Sequence, residues 1–345
     1  MEIIELLEET VRRGASDLHL IENLPPTLRI DGDLFPLNRK VLTRQDLNAF
    51  LDGLLSEERK QKFLREKELD FAFEFKERAR FRINVYVQRG SSAFAVRCIP
   101  YKIPRLEELN LPPVLRDLTR KPHGLILVTG PTGSGKSTTL ASMIDLINEE
   151  RSLHIVTVED PIEYVYQPKR SLISQREIGE DTYSFASALK HVLRQDPDVI
   201  LIGEMRDLET MQAAITAAET GHLVFSTLHT TSAAQTIDRI IDVFPPHQQA
   251  QIRSQLSITL EAVITQRLLK RVGGGRIPVC EILIATPAIR NLVREAKTHQ
   301  IYSAMELGRE YGMQTIDDAL ADLLRRREIT REEAATVANV VEYLR

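Results

Sequence analysis

Apolar positions along this chain change their period repeatedly, and each change marks an element. Ile3, Ile4, Leu7 and Val11 recur at helical spacing, so residues 2–13 read as an amphipathic helix. Thr27 to Leu37 reads as a hairpin turning at Asp31-Gly32, a dipeptide that tolerates the positive φ angles of a tight turn. Thr43 to Leu64 is charged and helical. Strict alternation follows at Leu69, Phe71, Phe73 and Phe75 and again at Phe81, Ile83, Val85 and Val87. That is the signature of antiparallel strands with one face buried, the last of them ending near Ile99. Pro100, Pro104, Pro112, Pro113 and Pro122 then crowd one stretch. Proline blocks helix interiors and sheet ladders, so residues 100–122 read as a linker, with a short helical turn around Leu106 to Leu109.

From Gly124 strands and helices alternate. Strands are expected at Leu125 to Thr129, His154 to Val158, Val199 to Ile202, Leu223 to Ser226 and Val279 to Ile284. Alternation of this kind predicts a mainly parallel sheet with helices on both faces, and runs such as Val199-Ile200-Leu201-Ile202 suit strands buried on both sides. Asp207 can cap the helix that Gly221 ends. From Thr286 onward the chain is helical and charged. Thr286 can cap the first of these helices, Pro287 suits its first position, and Ile289, Leu292 and Val293 form one apolar stripe. Arg290, Asn291 and Arg294 point away from that stripe.

A length of 345 residues exceeds one ordinary domain, and 43% hydrophobic residues supply enough apolar material for two cores. The net charge of −4 argues against a broad nucleic-acid-binding face. Two cysteines, Cys98 and Cys280, exclude a disulfide framework and a four-cysteine zinc site, and both lie in apolar strand-like runs that suit buried free thiols. Neither a secretory signal nor an apolar run of about 18 residues is visible. A cytoplasmic protein is expected, reaching a membrane only through a partner.

The strongest chemical signal is Gly130-Pro131-Thr132-Gly133-Ser134-Gly135-Lys136-Ser137, a full G-x-x-x-x-G-K-S between an apolar strand and a helix. The glycines let backbone N–H groups turn inward around phosphates, and the following helix adds its N-terminal partial charge. Lys136 is placed to reach the β- and γ-phosphates of ATP and the Ser137 hydroxyl to ligate Mg²⁺, with Thr138 closing the nucleotide-binding set. Such a site needs acids on neighbouring strands. Glu204 ends the apolar strand Val199 to Ile202 and is the expected magnesium-side acid. Glu159, Asp160 and Glu163 follow the strand His154 to Val158. Glu163 is favoured as the base that orients the attacking water, ahead of Asp160 and Glu159. His222 and His229 bracket the strand Leu223 to Leu228 at opposite ends, and His229 suits a contact to the γ-phosphate. Alternation sets Arg80 and Arg82 opposite Phe81 and Ile83, and Arg97 alternates with Val96 and Cys98.

Together these stretches resemble the secretion ATPase superfamily of type II and type IV systems. Four blocks carry the resemblance: Gly130 to Ser137, Val158-Glu159-Asp160-Pro161-Ile162-Glu163-Tyr164, the strand ending Gly203-Glu204-Met205-Arg206-Asp207, and Thr220 to Thr230. Ala15-Ser16-Asp17-Leu18-His19-Leu20 is similar to the N-terminal signature of that superfamily. Ala288-Ile289-Arg290-Asn291-Leu292-Val293-Arg294-Glu295 resembles a motif of its pilus-retraction branch, with Val293 where isoleucine is more usual. A tetracysteine insertion and an extra N-terminal domain, features of the extension and secretion branches, are not expected here.

The resemblance implies an α/β protein: a PAS-like α+β domain over 1–99, a linker over 100–122, a RecA-like P-loop ATPase core over 123–285 with a mainly parallel sheet, and a helical region over 286–345. It implies a homohexameric motor that hydrolyses ATP to retract a type IV pilus, acting through an inner-membrane platform protein, with a sister retraction ATPase as the nearest alternative and a possible paralogous partner. It also implies that arginines of the N-terminal domain reach the γ-phosphate. Arg82 and Arg97 are the expected ones, since a guanidinium offers several fixed donors to phosphate oxygens. The rival readings are a phosphotransferase, a nucleotide-gated scaffold and a nucleic-acid-driven motor. Phosphate release without an acceptor, and its response to nucleic acid, separate them.

Overall fold

The computed structural model describes residues 2–75, 79–100 and 102–339. The last residues of the expected C-terminal region, 340–345, lie outside the described residues. The chain forms two compact units: residues 1–102 with 161–165, and residues 103–160 with 166–345.

In the first unit, helix α1 (Ile3–Arg12) precedes strands β1 (Asp17–Leu20), β2 (Thr27–Ile30) and β3 (Asp33–Pro36). Helices α2 (Arg44–Leu54) and α3 (Glu57–Glu66) follow, then β4 (Glu68–Phe75), β5 (Ala79–Gln88) and β6 (Ser91–Pro100). The six strands make one antiparallel sheet in the order β3-β2-β1-β6-β5-β4. Helix α1 buries Ile3, Leu6, Leu7 and Thr10, so its core stripe is turned from the expected set of Ile3, Ile4, Leu7 and Val11. Ile4 and Val11 flank that stripe only partly buried. The stretch Thr43 to Leu64, expected to be helical, falls into two helices. Ser56 caps the second with its hydroxyl on the Arg59 N–H, and Thr43 and Asp46 form a capping box on the first.

The second unit opens with a 3₁₀ turn at Leu106–Leu109 and the short helix α4 (Val114–Leu118). Residues 103–122, expected as linker, therefore cluster with this unit. Leu106, Leu115 and Leu118 are buried, which is what the prolines around them do not reveal. Then come β7 (Gly124–Thr129), α5 (Lys136–Glu150), β8 (His154–Glu159), β9 (Leu172–Glu177), α6 (Phe185–Val192), β10 (Val199–Ile202), α7 (Leu208–Glu219) and β11 (Leu223–Leu228). Helices α8 (Ala233–Asp242) and α9 (Pro246–Thr259) lead to the long strands β12 (Leu260–Lys270) and β13 (Arg276–Ile284), and α10 (Pro287–Arg294), α11 (Ile301–Glu306), α12 (Ile316–Arg325) and α13 (Arg331–Ala335) complete the described chain.

Seven strands form the second sheet, ordered β13-β12-β7-β11-β10-β8-β9. All pairs are parallel except β12–β13. Two of these strands were not expected. Edge strand β9 (Leu-Ile-Ser-Gln-Arg-Glu) is polar at its last four positions and nowhere fully buried, so it carries no apolar run. Strand β12 follows α9 with no intervening turn residue, so no punctuation marks where the helix stops. Asp207 caps α7 by accepting from the Thr210 N–H, as expected, and Gly221 takes φ +102° just after that helix ends. Both cysteines are free. Burial pushes the Cys280 thiol up to about 12 and Cys98, which is only half-buried, to about 11, so neither offers a thiolate near neutral pH.

Candidate active site

Strand β7 is buried along its whole length and delivers the phosphate-loop sequence at its C-terminal end. Gly130, Gly133 and Gly135 adopt φ of +137°, +80° and +88°, a backbone that side chains resist and that turns successive amides toward one point. Gly135 occupies the N-cap of α5, and Lys136 is its first residue. The Lys136 side chain is 8% exposed, and its Nζ donates to the carbonyls of Gly130 at 2.8 Å and Pro131 at 3.0 Å. The ammonium is thus held over the loop. Phosphate oxygens outcompete such neutral acceptors, because a bond between two charged partners is the stronger one.

Beside β7, strands β11, β10 and β8 run in parallel and in register, so their C-terminal ends share one edge of the sheet. That is where ligands bind in open α/β sheets. Glu204 follows β10 and is 14% exposed. Its carboxylate takes Arg206 Nε at 2.6 Å on one oxygen and lies 3.4 Å from His229 Nε2 on the other. The structure therefore brings together two residues that sequence placed on separate strands. Thr227 holds the turn that presents Glu204, donating its hydroxyl to the Gly203 carbonyl at 2.6 Å, while its own carbonyl accepts from Met205 N at 3.1 Å. His222, at the other end of β11, sits against the Ala217 carbonyl through Nδ1 at 2.9 Å and serves the end of α7.

The acids after β8 divide. Glu159 is buried and accepts from the Thr157 hydroxyl at 2.7 Å and from Gln175 Nε2 at 3.3 Å, so it is fixed in the sheet. Asp160 is exposed. Glu163 is half-buried between buried Ile162 and Tyr164, in the short segment that clusters with the first unit rather than with β8. Among the described residues no group of three His, Cys, Asp or Glu side chains could cage a metal ion. Mg²⁺ is held mainly by phosphates and waters with one or two side-chain oxygens, and the Glu204 carboxylate at this edge is a donor of that kind.

On the first unit, strand register sets Arg29, Asp17, Arg97 and Arg82 in one row across β2, β1, β6 and β5. Arg82 and Arg97 are direct cross-strand neighbours, a like-charge pair that is unfavourable unless an anion compensates. Asp17 takes Arg97 Nε at 3.1 Å, and Asp70 stands 3.8 Å from Arg82 Nε. Arg97 remains 51% exposed. Arg80 is more enclosed, 3.9 Å from Glu74. His19, on the same face as Asp17, is held below its ordinary value by burial, opposed by Asp17 and assisted by Arg29 and Arg97.

Sequence reasoning missed Arg206, Thr227, Asp17 as the partner of Arg97, and two buried polar residues of the β12–β13 hairpin, Gln266 and Glu281. The signal available was the oddity of a glutamine and a glutamate inside apolar strand runs, since a buried polar group demands a partner. Glu281 accepts the N–H of Ala233, the first residue of α8, at 2.7 Å and so anchors the loop that carries His229. Burial raises the Glu281 carboxyl above its ordinary 4.5, the Ala233 bond opposes this, Asp317 adds to it and Arg267 subtracts. A raised carboxyl favours the fold while it stays protonated and loses that contribution as pH climbs through its folded value. Stability is thus expected to decline from the ordinary carboxylate range upward. Glu281→Gln keeps an acceptor without a charge and should flatten this decline. Glu281→Ala strands a buried N–H and should cost about 1–3 kcal/mol. Melting temperatures of the three proteins across pH check this, and an equally steep decline in Glu281→Gln would contradict it.

Helix α10 is capped by Thr286 and buries Ile289 and Val293, with Leu292 packed against the same core. Arg290 leaves that stripe, as expected, and is tied down within the chain. Its guanidinium donates to the carbonyls of Ser257 (3.1 Å) and Ile258 at the end of α9 and meets Glu261 Oε1 at 2.5 Å. Arg294 is exposed and donates to Asn291 Oδ1 at 2.9 Å. Arg290→Ala is therefore expected to lower stability by about 1–3 kcal/mol through the unpaired α9 carbonyls and Glu261. The pair Asn291→Ala and Arg294→Ala should melt close to the parent and keep ATP turnover. A melt of Arg290→Ala indistinguishable from the parent would show these bonds to be idle.

The whole described chain finds counterparts among known proteins. Residues 2–335 match the family model of the type II/IV secretion system protein. The type IV pilus retraction ATPase PilT of Pseudomonas aeruginosa is 50% identical over 342 residues, covering 99% of both chains. The twitching motility protein of Neisseria gonorrhoeae is 47% identical over 333 residues, 96% of this chain and 89% of that one. A crystal structure of the pilus retraction motor PilT with bound ADP superposes with a TM-score of 0.89 at 48% identity, over 99% of this chain and 98% of that one.

Proposed function

The chain belongs to the type II/IV secretion system protein family, and from that premise we infer that it is the ATP-hydrolysing motor of type IV pilus retraction, the process that drives twitching motility. The observation that carries this is the full-length identity to a retraction ATPase together with an intact phosphate loop on β7. No helix among the described residues is long and apolar enough to cross a membrane, which is consistent with a motor that works on the cytoplasmic side through a membrane platform protein.

In this reading the loop from Gly130 to Thr138 binds the nucleotide phosphates, as the ADP-bound relative supports. Lys136 shifts from the Gly130 and Pro131 carbonyls to the β- and γ-phosphates. Ser137 and Glu204 would hold Mg²⁺, which would supply charge neutralisation of the phosphates. Glu163 accepts the proton of the attacking water and orients it in line with the γ-phosphorus. His229, beside Glu204, donates to the γ-phosphate and registers its departure. Arg82 and Arg97 add the excess positive charge of their strand row to the phosphoryl group as charge develops. Copies of the chain assemble as a homohexamer, alone or with a paralogue. Coupled cycles around the ring pull pilin subunits through the platform protein.

Phosphate release from ATP by the purified chain, with no added acceptor, tests the enzymatic core of this reading. Turnover without acceptor excludes a phosphotransferase, and a rate unchanged by DNA or RNA excludes a nucleic-acid motor. Absence of turnover in the assembled protein with Mg²⁺ would overturn it.

A further inference from the structure

Gln266 lies in β12 one step past Thr265, which pairs with Thr129 at the end of β7, so it stands alongside the phosphate loop itself. It is buried in a strand run that is otherwise mostly apolar. Both ends of its amide are used. Nε2 donates to the Ser134 carbonyl at 2.8 Å, and Oε1 accepts from the Thr139 hydroxyl at 2.8 Å. The pairing fixes the amide orientation, because a carbonyl can only accept and only the NH₂ end can donate. Ser134 is at the crest of the loop and Thr139 in the first turn of α5. One side chain thus ties the loop to the helix that follows it.

The glycines of the loop are fitted to the same residue. A Cβ on Gly130 would overlap the Gln266 backbone carbonyl oxygen, and one on Gly135 would sit 2.8 Å from Gln266 Nε2. Two of the three glycines therefore answer to Gln266 as well as to the positive φ of the turn. The side chain of Ser134 is buried with no hydrogen-bond partner of its own, so its hydroxyl does nothing to hold the crest.

We propose that Gln266 is a positioning residue of the nucleotide site, clamping Ser134 to Thr139 so that the loop amides already converge before phosphates arrive. The inference rests on the reading of this loop as the nucleotide site. Preorganisation of donors raises affinity by removing the cost of ordering them on binding. Loss of the clamp should weaken the ground state and the transition state alike. It should therefore raise KM and the Kd for ADP while kcat changes little.

The test uses the full chain, with Mg-ADP as the binding probe and steady-state ATP turnover beside it. Gln266→Met, near in shape and without the amide, is expected to bind ADP about tenfold more weakly and to raise KM for ATP similarly, as one to two lost hydrogen bonds predict. Thr139→Val removes one of those bonds and should cost about threefold. Combining the two should be no worse than Gln266→Met alone, because both break the same contact. ADP affinity and KM within about twofold of the parent in both single variants, with only the melting temperature lowered, would reduce Gln266 to core packing and overturn the proposal. If Gln266→Met fails to fold, Thr139→Val decides by the same readings. Failure of the parent itself to bind ADP would instead overturn the assignment of the loop.

Discussion

Substituting Glu163 by glutamine is expected to leave ATP bound and to stop its hydrolysis. The change removes the proposed base and keeps the shape, so phosphates bound at the loop are expected to keep their contacts to it. General-base catalysis contributes roughly 10²–10⁴ in rate, and the loss of turnover should fall in that range. Lys136→Ala should also abolish turnover, for a different reason. It removes a charged side chain that the structure holds directly over the loop. ATP affinity should therefore fall in Lys136→Ala and persist in Glu163→Gln. Phosphate release and nucleotide binding measured together separate the two outcomes. Near-parental turnover in Glu163→Gln would pass the role of base to another acid, with exposed Asp160 the first to examine. Glu159 is a poorer substitute, since Thr157 and Gln175 already occupy its carboxylate.

Arg82→Ala and Arg97→Ala are expected to lose far more rate than ATP affinity. Arginines that meet a transferring phosphoryl group in comparable NTPases are worth roughly 10³–10⁵ in rate. The strand row explains why two should act together. Arg82 and Arg97 oppose each other directly, and Asp17 engages only Arg97 closely. Asp17→Asn should consequently leave turnover within about tenfold of the parent, because it frees a guanidinium rather than removing one. A fragment over residues 103–345, which keeps the buried Leu106, Leu115 and Leu118 of the second unit, should hydrolyse ATP poorly. Full-rate turnover by that fragment, or by either arginine variant, would show that the row has no part in the chemistry.

Much of this site was legible because its chemistry is local. The phosphate loop is one contiguous stretch with glycines at the positions of positive φ. Glu204 stands out in the sequence because four consecutive apolar residues, Val199 to Ile202, lie just before it. The Asp31-Gly32 hairpin was found because those two residues take φ of +50° and +96°, which few other pairs tolerate. Most of what was missed depends on partners distant in sequence. Alternation says that Arg82 and Arg97 share the polar side of their strands. Only register says that they are neighbours and that Asp17 completes the row. Gln266 lies more than a hundred residues beyond the loop it braces, inside a strand whose start is hidden by the helix running straight into it. Arg290 shows the converse. Its helical position indicates which way it leaves the helix, but not that the carbonyls of α9 are waiting there.

Retraction itself is the most direct test. Cells lacking their own retraction motor would carry either the parent chain or Lys136→Ala, with the shortening of single pili followed over time. The parent chain should restore retraction, and Lys136→Ala, folded and present at the same level, should restore none. Retraction at the parental speed with Lys136→Ala would contradict an ATP-driven motor, and failure of the parent chain to restore any retraction would contradict its assignment to the pilus.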